Sequence, residues 1–307
     1  MSNLNDGLQR IMNWLQKNQP KYAASFLPGL KHDEIKVHEE ELGFKLPEEI
    51  YELYLWRNGT LEDANALFFT PMQYLPLAEA VSYSRGWNKF RSEGEDIFEQ
   101  KDVWYIKSPQ FIFVRSNCDY CAIPIGIEKQ ARLPVMSIAS EGEQCVFYTN
   151  LLAMILTLAD CYETGAYYLD TNEYLCEDEC KAAQLLRIYN YDISENALSS
   201  LHLLFETSQK DTNSKFLEKV AQHTTTVARF KDRRGVDLLL KALLSWRLKK
   251  SSIRDGTCIS IARALGRMCD KRAVQLLTHT WQEDRSQLVR KEAGQALSEL
   301  MELLRIE

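Results

Sequence analysis

The residues of this 307-residue chain with the types to do chemistry are five histidines and eight cysteines. The histidines, at 32, 38, 202, 223 and 279, are scattered with no ligand spacing. Cys118-Asp119-Tyr120-Cys121 has metal-ligand spacing, and Cys176 with Cys180 has it loosely. A zinc site needs a second pair in a knuckle-like turn, whereas Cys118 and Cys121 flank a strand-like run, Ala122-Ile123-Pro124-Ile125. The cysteines therefore read as ordinary buried or reduced thiols, and neither metal nor cofactor is expected. There is no Ser–His–Asp order, phosphate loop or dinucleotide fingerprint, and the glycines near 86, 94, 126 and 142 stand alone, as turn glycines do. Glu39-Glu40-Glu41 brings carboxylates together, but adjacent helical residues point in different directions, so the run reads as a solvated face with His38 at its boundary. No catalytic residue is assigned and no enzyme is expected.

Binding chemistry is better represented. The net charge of −6 conceals an asymmetry: residues 1–180 hold 15 Lys+Arg against 28 Asp+Glu, a net −13, and residues 181–307 hold 22 against 15, a net +7. An acidic first half attracts basic partners, and a basic second half does the reverse. In the first half, Glu93, Glu95 and Asp96 mark an acidic segment. Trp87 and Trp104 are candidate anchors there, since a few buried aromatics carry most interface energy, although both also fit a core. In the second half, basic residues gather at Lys231, Arg233 and Arg234, then Arg247, Lys249, Lys250 and Arg254, then Arg263, Arg267, Lys271 and Arg272. Arg263 and Arg267 lie one helical turn apart, with Trp246 and Trp281 nearby, which is the footprint of phosphate-backbone binding. The alternative is a solvated outer face.

These residues must be positioned by two kinds of element. A first helix spans Leu4 to about Lys17, with Leu8, Ile11, Met12 and Leu15 on one face. Asp33 to Gly59 reads as two helices: Asp33 caps the first, Gly43 stops it, Pro47 opens the second, and Asn58-Gly59 ends it as a turn. Ala66–Thr70 reads as a strand, and Pro76 opens a helix with Ala80, Tyr83, Trp87 and Phe90 on one face. Five candidate strands follow, at Trp104–Ile106, Phe111–Val114, Ala122–Ile127, Val135–Ala139 and Cys145–Tyr148, with connections short enough for antiparallel neighbours. Asn150 caps a helix from Leu151 to about Tyr162. The reading is an α+β domain over 1–170, an acidic linker at 171–179, and an all-α domain over 180–307. Within the last, Arg234-Gly-Val-Asp-Leu-Leu matches Arg272-Ala-Val-Gln-Leu-Leu, and Ile261-Ala-Arg-Ala-Leu-Gly matches Ala293-Gly-Gln-Ala-Leu-Ser. Paired amphipathic helices at such a period stack as a solenoid.

The order of an acidic helix, Glu41-Leu42-Gly43, Leu46-Pro47, and an aromatic helix with Tyr54 ending in Asn58-Gly59 resembles the SUKH superfamily, and Phe26-Leu27-Pro28-Gly29 fits its lead-in. That superfamily includes bacterial toxin-immunity proteins and fungal cell-wall-assembly regulators. The resemblance covers residues 1–170 and implies a mostly antiparallel sheet with flanking helices that binds a protein partner, best a toxin domain. Two departures stand out. Where many members have a Gly-Gly-Asp-type turn, Asn117-Cys118-Asp119-Tyr120 offers only Asp119, and Pro124 inside the next strand implies rearranged edges. The second half resembles HEAT repeats of the short type, which makes Arg254, Arg263 and Arg267 its candidate contacts.

With 45% hydrophobic and 26% charged residues, and a longest apolar run of nine residues (151–159) against the ~20 a membrane helix needs, the expectation is a soluble cytoplasmic protein without membrane contact. The leading reading is a non-enzymatic immunity-type protein that binds and neutralises a protein toxin. The alternatives are a regulatory scaffold for host partners and a nucleic-acid-binding repeat protein. Oligomeric state is not readable.

Overall fold

The computed structural model describes residues 3–61, 73–93, 104–116, 119–126, 133–138, 144–207 and 213–305. The chain divides into two compact units, Met1–Leu185 and Leu186–Glu307. The first opens with α1 (Asn3–Asn18), whose Leu8, Ile11, Met12 and Leu15 are buried as one stripe, followed by α2 (Pro20–Ala23) and β1 (Phe26–Pro28). Two helices come next, α3 (His32–Leu42) and α4 (Glu48–Trp56).

At the start of α3 the cap is not Asp33. Lys31 occupies the cap position, and its amide donates to the Glu34 carboxylate at 2.6 Å, the reciprocal bond of a capping box. Gly43 ends α3 at φ 79°. The turn between the helices is held by Glu39, which accepts from the Leu46 amide at 2.6 Å and the Tyr51 hydroxyl at 2.8 Å. Asn58-Gly59 is not a free turn but part of β2 (Arg57–Thr60), antiparallel to β1. Gly59 sits at φ 76°, where a Cβ would fall 2.3 Å from the Pro76 nitrogen, so only glycine fits.

The main sheet is an antiparallel meander of β3 (Gln73–Tyr74), then, after α5 (Leu77–Glu93) and α6 (Trp104–Lys107), β4 (Gln110–Arg115), β5 (Tyr120–Pro124), β6 (Val135–Ile138) and β7 (Gln144–Tyr148). Trp104–Ile106, expected as a strand, is thus one helical turn. Ala66–Thr70 lies outside the described residues. Pro124 is the last residue of its strand, and β6 pairs with β5 only as far as Ala122, so the missing amide breaks no ladder. β3 covers only the end of β4, and α5 satisfies the rest. Ser84 Oγ accepts from the Ile112 amide at 2.8 Å, Asn88 exchanges two bonds with the Gln110 backbone at 2.8 and 3.0 Å, and Arg91 donates to the Ser108 and Ile106 carbonyls. Residues four apart on a helix rise about 6 Å, close to the ~6.6 Å of two strand residues, so 84 and 88 match 112 and 110.

α7 (Leu151–Thr164) is capped by the Asn150 side chain, as expected, and packs on α1. Arg10 of α1 reaches Asp160 and Glu163 at its surface. The acidic stretch read as a linker is instead structured. β8 (Tyr167–Leu169) and β9 (Leu175–Glu177) form a hairpin whose turn is closed by Asp170 Oδ1, accepting from the Asn172 and Tyr174 amides, and α8 (Glu179–Tyr189) follows at once.

The second unit is an all-α solenoid of antiparallel pairs: α9 (Tyr191–Thr207) with α10 (Ser214–Arg229), α11 (Arg234–Leu248) with α12 (Arg254–Arg267), and α13 (Arg272–Glu283) with α14 (Gln287–Leu303). The second helices form a continuous layer in which α12 packs on α10 and α14. At Gly266 a Cβ would lie 2.7 Å from the Ala296 carbonyl oxygen, which shows how closely those backbones approach.

Candidate functional site

In the first unit, the buried side of α5 consists of small and aliphatic residues, Leu77, Ala80, Val81 and Ser84. The aromatics expected on that side form a flanking stripe instead. Tyr83 and Trp87 are half-buried, and Phe90, 54% exposed, lies 6.1 Å from the Trp87 ring centre. The stripe continues onto the sheet. Arg115 of β4 donates to the Tyr83 hydroxyl, with its guanidinium carbon 4.9 Å from the Tyr83 ring centre, and Tyr120 of β5 lies 6.1 Å beyond. Asp119 closes the β4–β5 turn, its amide bonding Ser116 Oγ at 3.0 Å and its carbonyl accepting from the Ser116 amide at 2.7 Å. Tyr83, Arg115 and Tyr120 thus make one half-buried patch of residue types enriched in protein interfaces, with Asp119 next to it in the chain. Glu93 ends α5 beside Lys89, 3.8 Å away. Glu95, Asp96 and the side chain of Trp104 lie outside the described residues. The sequence pointed to Trp87 and Asp119 but missed Tyr83, Arg115 and Tyr120, whose meeting depends on strand pairing.

A separate set of carboxylates stands on α3 and α4. Asp33, Glu34, Glu40, Glu41 and Glu48 are exposed, with Val37 and Phe44 exposed among them. Glu41 pairs with Arg85 of α5 at 3.2 Å, and since Arg85 is two residues from both Tyr83 and Trp87, the acidic helix lies on the opposite flank of α5 from the aromatic stripe. Burial and the bond to Glu39 push the Tyr51 phenol up to about 12, because its anion would face a carboxylate.

The basic candidates of the second unit are placed differently from expectation. Arg254, expected on the surface, is 1% exposed. It donates to Asp284 at 2.5 Å, to Asp255 at 2.8 Å and to the Arg247 carbonyl at 3.0 Å, and Arg247 reaches the same Asp284 oxygen at 3.1 Å. Burial opposes charge on Asp284, but the bonds from Arg254, the Ser286 amide and Arg247 outweigh it and hold the carboxyl below the usual range. Arg254 is therefore a structural ion pair and not a surface contact. Arg263 and Arg267 do form an exposed stripe, yet each faces a carboxylate of α14, Glu292 at 2.8 Å and Glu299 at 3.0 Å. Arg272 bonds Asp270 and Asp237, and Lys231 donates to the Arg267 carbonyl. Arg263, Arg267 and Arg272 are thus each paired with a carboxylate of the fold, which weakens the expected phosphate footprint.

Among the described residues no group of three or more His, Cys, Asp and Glu side chains is arranged to hold a metal. Cys161, Cys176 and Cys258 are free thiols, whereas Cys180 and Cys269, expected as reduced thiols, are disulfide-bonded. Among the same residues no helix is long and apolar enough to cross a membrane. No curated protein matches the chain. One family does match. The matched stretch runs from Gly29 through α3 and α4, the whole five-stranded meander and the first turn of α7, and includes the α5 stripe and its patch. The model of the SMI1 / KNR4 family (SUKH-1) matches residues 29–156.

Proposed function

We propose that the chain is a non-enzymatic protein-binding protein of the immunity type, which neutralises a protein toxin by occluding it in the cytoplasm. The carrying observation is the patch of Tyr83, Arg115 and Tyr120, next to Asp119 and continued by Trp87 and Phe90, inside the stretch that matches the SUKH-1 family. Large aromatics and arginine at the ends of two adjacent strands supply contact area from the residue types that carry interface energy. The exposed carboxylates of α3 and α4, on the same unit, suit a basic partner, because complementary charge speeds encounter. The second unit, whose helix pairs are HEAT-like, adds a further contact surface.

Affinity capture from the native host with the whole chain, read by mass spectrometry, tests this. The expected result is one stoichiometric small protein that is toxic when expressed alone, and whose capture falls at least tenfold in Tyr83→Ala and Trp87→Ala variants. Several weakly held host proteins would move the reading to a regulatory scaffold. Capture that disappears on nuclease treatment would overturn it.

A further inference from the structure

The helix pairs of the second unit are fastened unequally. The first turns of α9 and α11 are clasped by Asp232, which accepts from Ser194 Oγ at 2.8 Å and from Arg234 at 2.6 and 3.0 Å, while Arg234 also pairs with Glu195. The next neighbours, α11 and α13, are tied near both ends, by Asp237–Arg272 at 2.8 Å and again by Arg247, which bonds Asp284 at 3.1 Å and His279 at 3.2 Å. No such second tie joins α9 to α11 among the described residues. In its place is a cleft of about 390 Å³ lined by the C-terminal half of α9 and the length of α11.

Its floor is apolar, with Phe205, Leu238, Ala242 and Trp246. Trp246, 1% exposed, is fixed from behind by Phe216 at 5.3 Å between ring centres. Its rim carries His202, Glu206 and Lys241, all exposed and without an ion pair among the described residues. Leu244 and Leu248, one and two turns beyond Lys241, are also exposed, as is Leu203 on α9. From this arrangement we infer that the cleft is a docking slot for a short peptide segment of a protein partner, one that carries a bulky apolar side chain beside a carboxylate. The floor requires an apolar group. Lys241 supplies a cation for the carboxylate, and Glu206 on the same cleft disfavours a phosphate backbone. A volume near the lower end of ligand sites fits one large side chain with its flanking backbone. The slot rests on the protein-binding reading and gives that reading a second contact, on the other unit.

The test pans a phage-displayed random-peptide library on the full-length chain and measures the selected peptides, fluorescently labelled, against wild type, Lys241→Glu and Leu238→Glu. Lys241 is exposed, so its reversal tests the slot without disturbing folding. Selected peptides should share Phe, Trp or Leu next to Asp or Glu, and each variant should weaken them about tenfold. No enriched peptide, peptides held equally by both variants, or displacement by a DNA duplex would overturn the slot. A captured protein lost in Tyr83→Ala but unaffected by Lys241→Glu would sink the slot alone and leave the immunity reading standing.

Discussion

Replacing Asp284 by alanine should destabilise the second unit more than any surface change, for reasons countable atom by atom. Its carboxylate is 2% exposed and neutralises two guanidiniums, Arg254 at 2.5 Å and Arg247 at 3.1 Å, while its other oxygen accepts the Ser286 amide at 2.9 Å. Removing one partner of a buried pair costs about 3–5 kcal/mol, because the remaining charge is stranded. The lower end applies here, since Arg254 keeps Asp255 at 2.8 Å and the Arg247 carbonyl at 3.0 Å. At roughly 3 kcal/mol, the helical melting transition should fall by roughly 10 °C for a unit of this size. The double variant Arg254→Met, Asp284→Ala removes the stranded charge, so it should recover about 2 kcal/mol of that loss as coupling. Thermal scans by circular dichroism of the full chain measure both. A loss under about 1 kcal/mol for Asp284→Ala would refute the reasoning. So would an Arg254→Met variant that melts like wild type yet loses DNA binding, which would return Arg254 to the role its charge first suggested.

Gly59→Ala should lower the urea midpoint of the first unit by an amount corresponding to about 2–4 kcal/mol, since φ 76° and backbone contacts at 2.3 and 2.5 Å leave its Cβ nowhere to go. Burial opposes the charge of Asp232, but hydrogen bonds from Arg234 and Ser194 win and lower its carboxyl to about 2. A folded value below the unfolded one means stability is complete above about pH 4 and lost as pH falls toward 2, about 2 kcal/mol in all. Denaturation across that range should show the acid limb in wild type and lack it in Asp232→Asn. Glu39→Gln should bring the Tyr51 phenol down from about 12, read by NMR of ζ-labelled tyrosine, and an unmoved titration would assign the shift to burial alone. Reversing the exposed Glu40 and Glu48 to lysine should slow association with the captured partner about tenfold at low salt and scarcely at high salt, as stopped-flow mixing would show.

What the sequence makes legible follows from how local the determining chemistry is. Gly43, Asn150 and the paired motifs around Arg234 and Arg272 act on atoms within four residues of themselves, and the structure places them as read. Glu34 and Asp33 compete for one cap across a single position, a choice that propensity does not resolve. Trp104–Ile106 has the composition of a strand, but the Ile106 and Ser108 carbonyls are taken by Arg91 of α5, a partner no local rule supplies. On α5 the helical period identifies two possible faces. The sheet takes the one with Ala80, Val81 and Ser84, because small residues let the helix backbone come close enough for Ser84 and Asn88 to satisfy β4. The candidate patch was therefore half legible: Trp87 from residue type, Asp119 from the family resemblance, Arg115 and Tyr120 only from strand register. Arg254 was read correctly as a charge, but its burial depends on an aspartate thirty residues away.

The two D-x-R motifs show how repetition and variation divide the work in the solenoid. Lys231 at φ 44° precedes Asp232 and Arg234, and Cys269 at φ 49° precedes Asp270 and Arg272. A left-handed conformation in a non-glycine residue costs about 1 kcal/mol or more, so its recurrence at the same place in successive pairs needs an offset. The offset is visible in both. The aspartate accepts from the backbone amide and the guanidinium of the arginine two residues on, which closes the turn and starts the next helix at a fixed angle. That clasp sets the spacing of successive first helices at one end only. Whether the other end closes is decided by residues outside the motif: Arg247 and Asp284 close α11 to α13, and among the described residues α9 ends without an equivalent. A repeat that fixes one end and leaves the other to sequence drift can open a slot between neighbouring helices without disturbing the packed layer of α10, α12 and α14 behind it. Among the described residues the side chains of His202, Glu206 and Lys241 make no ion pair and stand where that freedom lies, which is where a partner can bind without breaking any contact that holds the solenoid together.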